Sequence, residues 1–190
     1  MAEKKIYILL TDTGTLFTKL IKLYTKKPFN HASISFDQSL SNVYSFGRTS
    51  PSNPFTGGFV KEDMDSCFFK QANCKIYSCP VSTAQYQKMH SYIQKINEEK
   101  CLYRYNLLGL FALLLKKRVD RKYAFFCSQF VATVLQESEC VDFSKPLSLI
   151  TPNDLIKENV FEFVYEGNLG DYYVGLCTHS TTDLAYMASI

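Results

Sequence analysis

His31-Ala32-Ser33-Ile34-Ser35-Phe36 is the stretch from which the fold is read, because it alternates without exception. Ala32, Ile34 and Phe36 fall on one side of an extended chain, and His31, Ser33 and Ser35 fall on the other. A strand with one apolar and one polar face is the half-buried kind found in antiparallel sheets. Moving outward, a turn-forming run from Asp37 leads to Val43-Tyr44-Ser45-Phe46, which reads as a second strand returning beside the first. Upstream, Lys5 to Leu10 reads as the opening strand. Thr11, Asp12 and Thr13 then offer N-caps for a helix with Leu16, Phe17, Leu20, Ile21 and Tyr24 on one face, ended by Pro28.

Gly47 to Gly58, with Pro51, Pro54 and a Gly-Gly pair, reads as a long loop, and a loop of that length can serve as a lid. Cys74 to Val81 is strand-like. Ser82-Thr83-Ala84-Gln85 has capping-box form ahead of Met89, Ile93 and Ile96, which share a helical face running to about Lys100. Tyr105 to Lys117 reads as a further helix, with a basic patch of Lys116, Lys117, Arg118, Arg121 and Lys122 at its end. Next comes Phe126-Cys127-Ser128-Gln129-Phe130-Val131, where Phe130, Val131, Val134 and Leu135 recur at helical spacing from Cys127. Thr151-Pro152-Asn153-Asp154 opens another helix with proline at its first position, and Phe161 to Tyr165 is a late strand. From Gly167 onward no period is clear and no element is assigned.

At 190 residues and 46% hydrophobic content the chain is sized for one well-buried domain, expected over residues 1–190 with its core at about 5–165. Lys plus Arg number 21 against 18 Asp plus Glu, and this net +3 gives no argument for a nucleic-acid partner. Seven cysteines without paired spacing, behind an N-terminus with no signal-peptide pattern, point to reduced thiols and a cytoplasmic location. Leu107 to Leu115 is the longest apolar run and is far short of the ~20 residues a spanning helix needs. Beside its lysines it fits weak contact with a membrane surface, or a buried helix with a solvated basic end.

The chemistry concentrates on Cys127 and His31. A helix start presents unpaired backbone N–H groups and partial positive charge, both of which favour a thiolate, and an imidazole nearby can hold the thiol's proton. Cys67, Cys74, Cys79 and Cys101 lack the CxxC spacing of a zinc site, so no metal is expected. Without GxxxxGK[ST] or GxGxxG, and with no Arg closely following Cys127, phosphate chemistry is not supported and no cofactor is expected. Read in isolation, Cys127 is a core thiol and His31 a strand residue with a satisfied hydrogen bond.

Taken in order, Asn30-His31-Ala32-Ser33-Ile34-Ser35-Phe36-Asp37, a second short strand, a Gly-rich loop, Phe126-Cys127-Ser128-Gln129-Phe130-Val131 and Thr151-Pro152-Asn153-Asp154-Leu155 resemble the circularly permuted papain-like (NlpC-type) cysteine hydrolases. The likeness is to the YiiX-like branch, which is related to lecithin:retinol acyltransferase-like enzymes. It implies an α+β fold, a mainly antiparallel sheet packed against helices, with Cys127 as nucleophile and His31 as general base. It also implies cleavage or transfer at an amide, peptide or lipid-ester bond through a thioester. The family places a polar residue on the strand after the histidine strand to orient the ring, and here that position falls on Ser45. Serine is short and uncharged, so Asp37, Asn42 or a backbone carbonyl are alternatives for the role. A fold retained only to bind a lipid or amphipathic ligand is the competing reading, and a protein-interaction role through the 13 Tyr and 15 Phe is a third. The oligomeric state is left open.

Overall fold

The computed structural model describes residues 3–12, 22, 26–48, 57–107, 109, 115, 117 and 121–176. Its centre is a six-stranded sheet of order β4-β3-β2-β1-β5-β8, built from β1 (Lys4–Asp12), β2 (His31–Ser35), β3 (Val43–Arg48), β4 (Gly57–Glu62), β5 (Asn73–Val81) and β8 (Glu162–Asn168). Every neighbouring pair runs antiparallel, so the fold class is α+β with a mainly antiparallel sheet. A short parallel pair, β6 (Arg104–Tyr105) with β7 (Ala124–Phe125), stands apart from it.

β1 is apolar at successive residues because both of its faces are covered. Ile6, Ile8 and Leu10 join Ala32, Ile34 and Phe46 beneath α2 (Thr83–Glu98) and α3 (Cys127–Glu137). Tyr7 and Leu9 join Leu40, Val43, Met64 and Ile76 on the other face, covered by Leu169 and Tyr172 of a helical stretch at 169–176. The capping box at the start of α2 is formed, with Ser82 Oγ accepting from the Gln85 backbone N–H and the Gln85 side chain accepting from the Ser82 backbone N–H. Two shorter helices, α1 (Cys67–Lys70) and α4 (Pro152–Leu155), and a 3-10 turn at Leu147–Leu149 lie elsewhere along the chain.

Four expectations change. β1 runs through Thr11 and Asp12, which are therefore ladder residues opposite His31 and Asn73 and not caps, while the expected helix beyond them lies outside the described residues except for Lys22. The two ends of the expected 47–58 loop are strand instead: β3 continues to Arg48 and β4 begins at Gly57, with Gly47 paired to Gly58. Residues 49–56, and with them any lid, lie outside the described residues. Tyr105 belongs to β6 and not to a helix; Leu107 and Gly109 are helical, and most of the remaining segment to Lys117 lies outside the described residues. The unassigned tail from Gly167 begins as the end of β8 and continues as the helical stretch to 176.

No helix among the described residues is long and apolar enough to cross a membrane. The exposed large aromatics among them are Phe68, Tyr123 and Phe163, and the aromatic side chains Phe29, Phe36, Phe46, Phe59, Phe126, Phe130 and Phe143 are core, which leaves an aromatic interaction surface little basis.

Candidate active site

The β3–β4 hairpin does two things at once because of strand alternation. Phe46 and Phe59, directly paired across the hairpin, point to the helix side and pack on Phe130 of α3 at ring-centroid distances of 5.1 and 5.8 Å. Phe125, just before α3, meets Phe46 at 5.2 Å. The alternate residues, Ser45 and Glu62, face the other way, toward His31 and Ser33 of β2. One hairpin thus grips the helix that begins with Cys127 and delivers a carboxylate to the histidine strand.

The histidine sits at the very start of β2 and the cysteine at the very start of α3, so both reactive groups lie at element ends. His31 Nε2 is 2.6 Å from Glu62 Oε1. Ser45 Oγ donates to the same oxygen at 2.5 Å, and Ser33 Oγ donates to Oε2 at 2.7 Å. With Nε2 engaged by Glu62, Nδ1 is the nitrogen left to face the Cys127 thiol, whose interaction with the ring favours the charged imidazole. The side chains of His31 and Glu62 are 15% and 5% exposed, and Cys127 is 4% exposed, so the three interact in a low-dielectric setting.

Burial pulls the His31 ring toward its neutral form, but the Glu62 carboxylate and the contacts with Cys127 outweigh it and raise the pKa to about 10. Burial likewise favours the protonated form of Glu62. The His31 charge and the hydrogen bonds from His31, Ser45 and Ser33 prevail, holding the carboxyl below its ordinary value. At neutral pH the pair is therefore imidazolium and carboxylate.

The local electrostatics at Cys127 come from α3. Phe126 occupies its N-cap and supplies no side-chain cap, and the first turn carries no acidic residue. The first-turn amides are left to whatever enters the site, and the positive end of the helix is not neutralised. Behind the cysteine, Ser128 Oγ donates to the Ile150 carbonyl at 2.7 Å, and Asn153 Nδ2 reaches the Phe29 carbonyl at 3.5 Å. The 150–153 segment therefore ties the cysteine helix to the chain leading into His31.

His31 and Cys127, the two principal candidates, are brought together. Ser45 is in the same cluster, but it bonds to Glu62 and not to the ring; Glu62 holds the position against the imidazole that sequence reasoning had assigned to Ser45. Asp37 and Asn42, the alternatives for that role, bond to each other in the β2–β3 turn. Glu62 was missed because its strand was hidden: Gly57-Gly58 read as the end of a loop, and Phe59 to Glu62 is too short for its alternation to register. No group of three His, Cys, Asp or Glu suited to a metal ion exists among the described residues.

The chain matches no family model, no curated protein and no solved structure.

Proposed function

We propose that this protein is a cysteine-dependent hydrolase or acyltransferase of the permuted papain-like kind, acting on an amide, peptide or lipid-ester bond. The observation that carries the reading is the His31–Glu62 hydrogen bond of 2.6 Å, with the Cys127 thiol interacting with the same ring from an uncapped helix N-terminus. A buried carboxylate that fixes one ring nitrogen of a histidine beside a thiol is an arrangement that nucleophilic catalysis uses.

The charge state refines the roles. Because His31 holds its proton at neutral pH, it acts first as the cation beside the sulfur and only then as an acid. Cys127 sulfur attacks the carbonyl carbon, the backbone N–H groups at the start of α3 stabilise the oxyanion, and His31 protonates the leaving amine or alcohol. Neutral His31 then activates water or another acceptor to resolve the thioester, and Glu62 stabilises the ring each time it regains charge. Leu102, Leu115 and Tyr123 are exposed, with Lys122 lying 5.0 Å from the Tyr123 ring centroid. This mixture of apolar and basic groups supports a substrate carrying an acyl chain, met at a membrane surface.

The test is the pH dependence of iodoacetamide alkylation, read peptide by peptide, in the parent chain and in His31→Ala. Alkylation of Cys127 that persists at about pH 6, well below the ~8.5 of an ordinary thiol, and that falls in His31→Ala supports the reading. A Cys127 no more reactive than the other cysteines and indifferent to His31 overturns it and leaves the ligand-binding reading in its place.

A further inference from the structure

Two further thiols, distant in sequence and unused by the chemistry above, meet beyond the C-terminal end of α3. Cys79 lies in β5 and Cys140 lies in the turn after α3, 61 positions apart, yet their sulfurs are 3.7 Å from one another. Cys79 is 1% exposed, whereas Cys140 is partly open to solvent.

The juxtaposition is built from both sides. α3 ends with Glu139 in the left-handed region at φ 58°, after which the Cys140 backbone N–H donates to the Leu135 carbonyl at 2.9 Å. This is the Schellman closure, and it fixes the direction in which Cys140 leaves the helix. The same turn is held by the corner that follows Cys79. Gln85 Nε2 donates to the Glu139 carbonyl at 2.9 Å, and Lys88 Nζ pairs with the Glu139 carboxylate at 2.6 Å. Gln85 is itself locked by the capping box at Ser82, three residues beyond Cys79. Neither sulfur is placed by a free loop.

We propose that Cys79 and Cys140 are a hydroperoxide-sensitive dithiol that oxidises to a disulfide joining the C-terminal turn of the nucleophile helix α3 to strand β5. The partly exposed Cys140 thiol gives up its proton and, as thiolate, attacks one peroxide oxygen; the O–O bond breaks, giving a sulfenic acid, and the other oxygen takes up that proton and leaves as water or, from an alkyl hydroperoxide, as the alcohol. The Cys79 sulfur then attacks the sulfenic sulfur, the S–O bond breaks, and the hydroxyl leaves as water with the Cys79 proton. Two thiols are oxidised and one peroxide is reduced. The buried Cys79 is thus the resolving partner, shielded from direct attack, and Cys140 is the sensing one. The thiol–thiol hydrogen bond and burial both raise Cys79, while at Cys140 the same hydrogen bond outweighs burial, which opposes it, and lowers the thiol from its ordinary value.

The experiment is titration of the full-length chain with hydrogen peroxide, run in parallel on Cys127→Ser and Cys140→Ser. The linkage is mapped after digestion at glutamates, because Glu137 and Glu139 separate Cys127 from Cys140. The expected product is a Cys79–Cys140 linkage, formed equally in Cys127→Ser, with an unfolding temperature raised by roughly 5–10 °C. Dithiothreitol should reverse the shift, and Cys140→Ser should not show it. Because Cys127→Ser lacks the proposed nucleophile, failure of the enzymatic reading leaves this result untouched. Cys140 trapped as sulfenic or sulfinic acid with Cys79 still free, or linkages scattered among other cysteines, overturns the proposal.

Discussion

Glu62 Oε1 stands 2.6 Å from His31 Nε2 and also accepts from Ser45 Oγ at 2.5 Å, so a single carboxylate oxygen joins the histidine ring to the strand beside it. Its partner oxygen accepts from Ser33. The carboxylate is buried and accepts at both oxygens, and this pre-orders the ring.

The first prediction separates Glu62 from its serines. Glu62→Gln removes the charge facing the imidazolium and should lower Cys127 alkylation at neutral pH by roughly an order of magnitude or more. Ser45→Ala and Ser33→Ala each remove one hydrogen bond to the carboxylate and should cost less, about 1 kcal/mol of stability with smaller rate changes. Equal losses in all three variants would show that the cluster acts by packing and not by charge.

Stability should depend on pH in a defined window. The folded-state pKa of His31 is raised from 6.5 to about 10, so its contribution is fully present below 6.5 and is lost as pH rises through 10. Urea midpoints of the parent chain should therefore fall between these limits, and those of His31→Gln should fall less. Parallel curves for the two proteins would mean that the ion pair adds nothing to folding.

Asp154 governs an acid limb. It accepts from the Thr151 backbone N–H and hydroxyl, pairs with Lys145 at 2.6 Å and with Lys157 at 2.7 Å, and is held well below the usual carboxylate range by these groups despite partial burial. A depressed carboxylate contributes stability above its unfolded value near 3.8, lost as pH falls below it. Asp154→Asn should cost about 1 kcal/mol at neutral pH and flatten the acid limb, as checked by denaturant titration at several pH values.

Phe130 links core to site. Truncation to Ala opens a cavity against Phe46 and Phe59 and should destabilise by about 3–5 kcal/mol. Because those rings seat α3 on the hairpin, Cys127 alkylation should drop as well under conditions where the variant remains folded. Phe130→Leu should recover most of the stability, so a rate that stays low in Phe130→Leu would locate the effect in ring geometry.

Much of the sheet was legible from the chain because alternation is a local property. His31 to Phe36 shows its two faces in six residues, Val43 to Phe46 follows a turn, and the capping box at Ser82 marks its own helix. What the chain hid was β4. Phe59 to Glu62 has no long alternation, and its flanking glycines look like loop until Gly47 and Gly58 are seen paired. The thiol at a helix start and the histidine on a strand were visible as chemical types, since each depends only on its own element.

Local pattern was enough to mark the strands from His31 and Val43, the helix after Ser82 and the two reactive groups, because burial alternation and capping are written within a few neighbouring positions. Their partners came from the folded arrangement. The carboxylate at Glu62 is matched to His31 by strand order and register, and the Cys79 and Cys140 sulfurs by the closing turn of α3 against the β5–α2 corner. Such pairings join residues far apart in the chain, and no local pattern encodes them; they exist only once the hairpin has packed its phenylalanines against the cysteine helix.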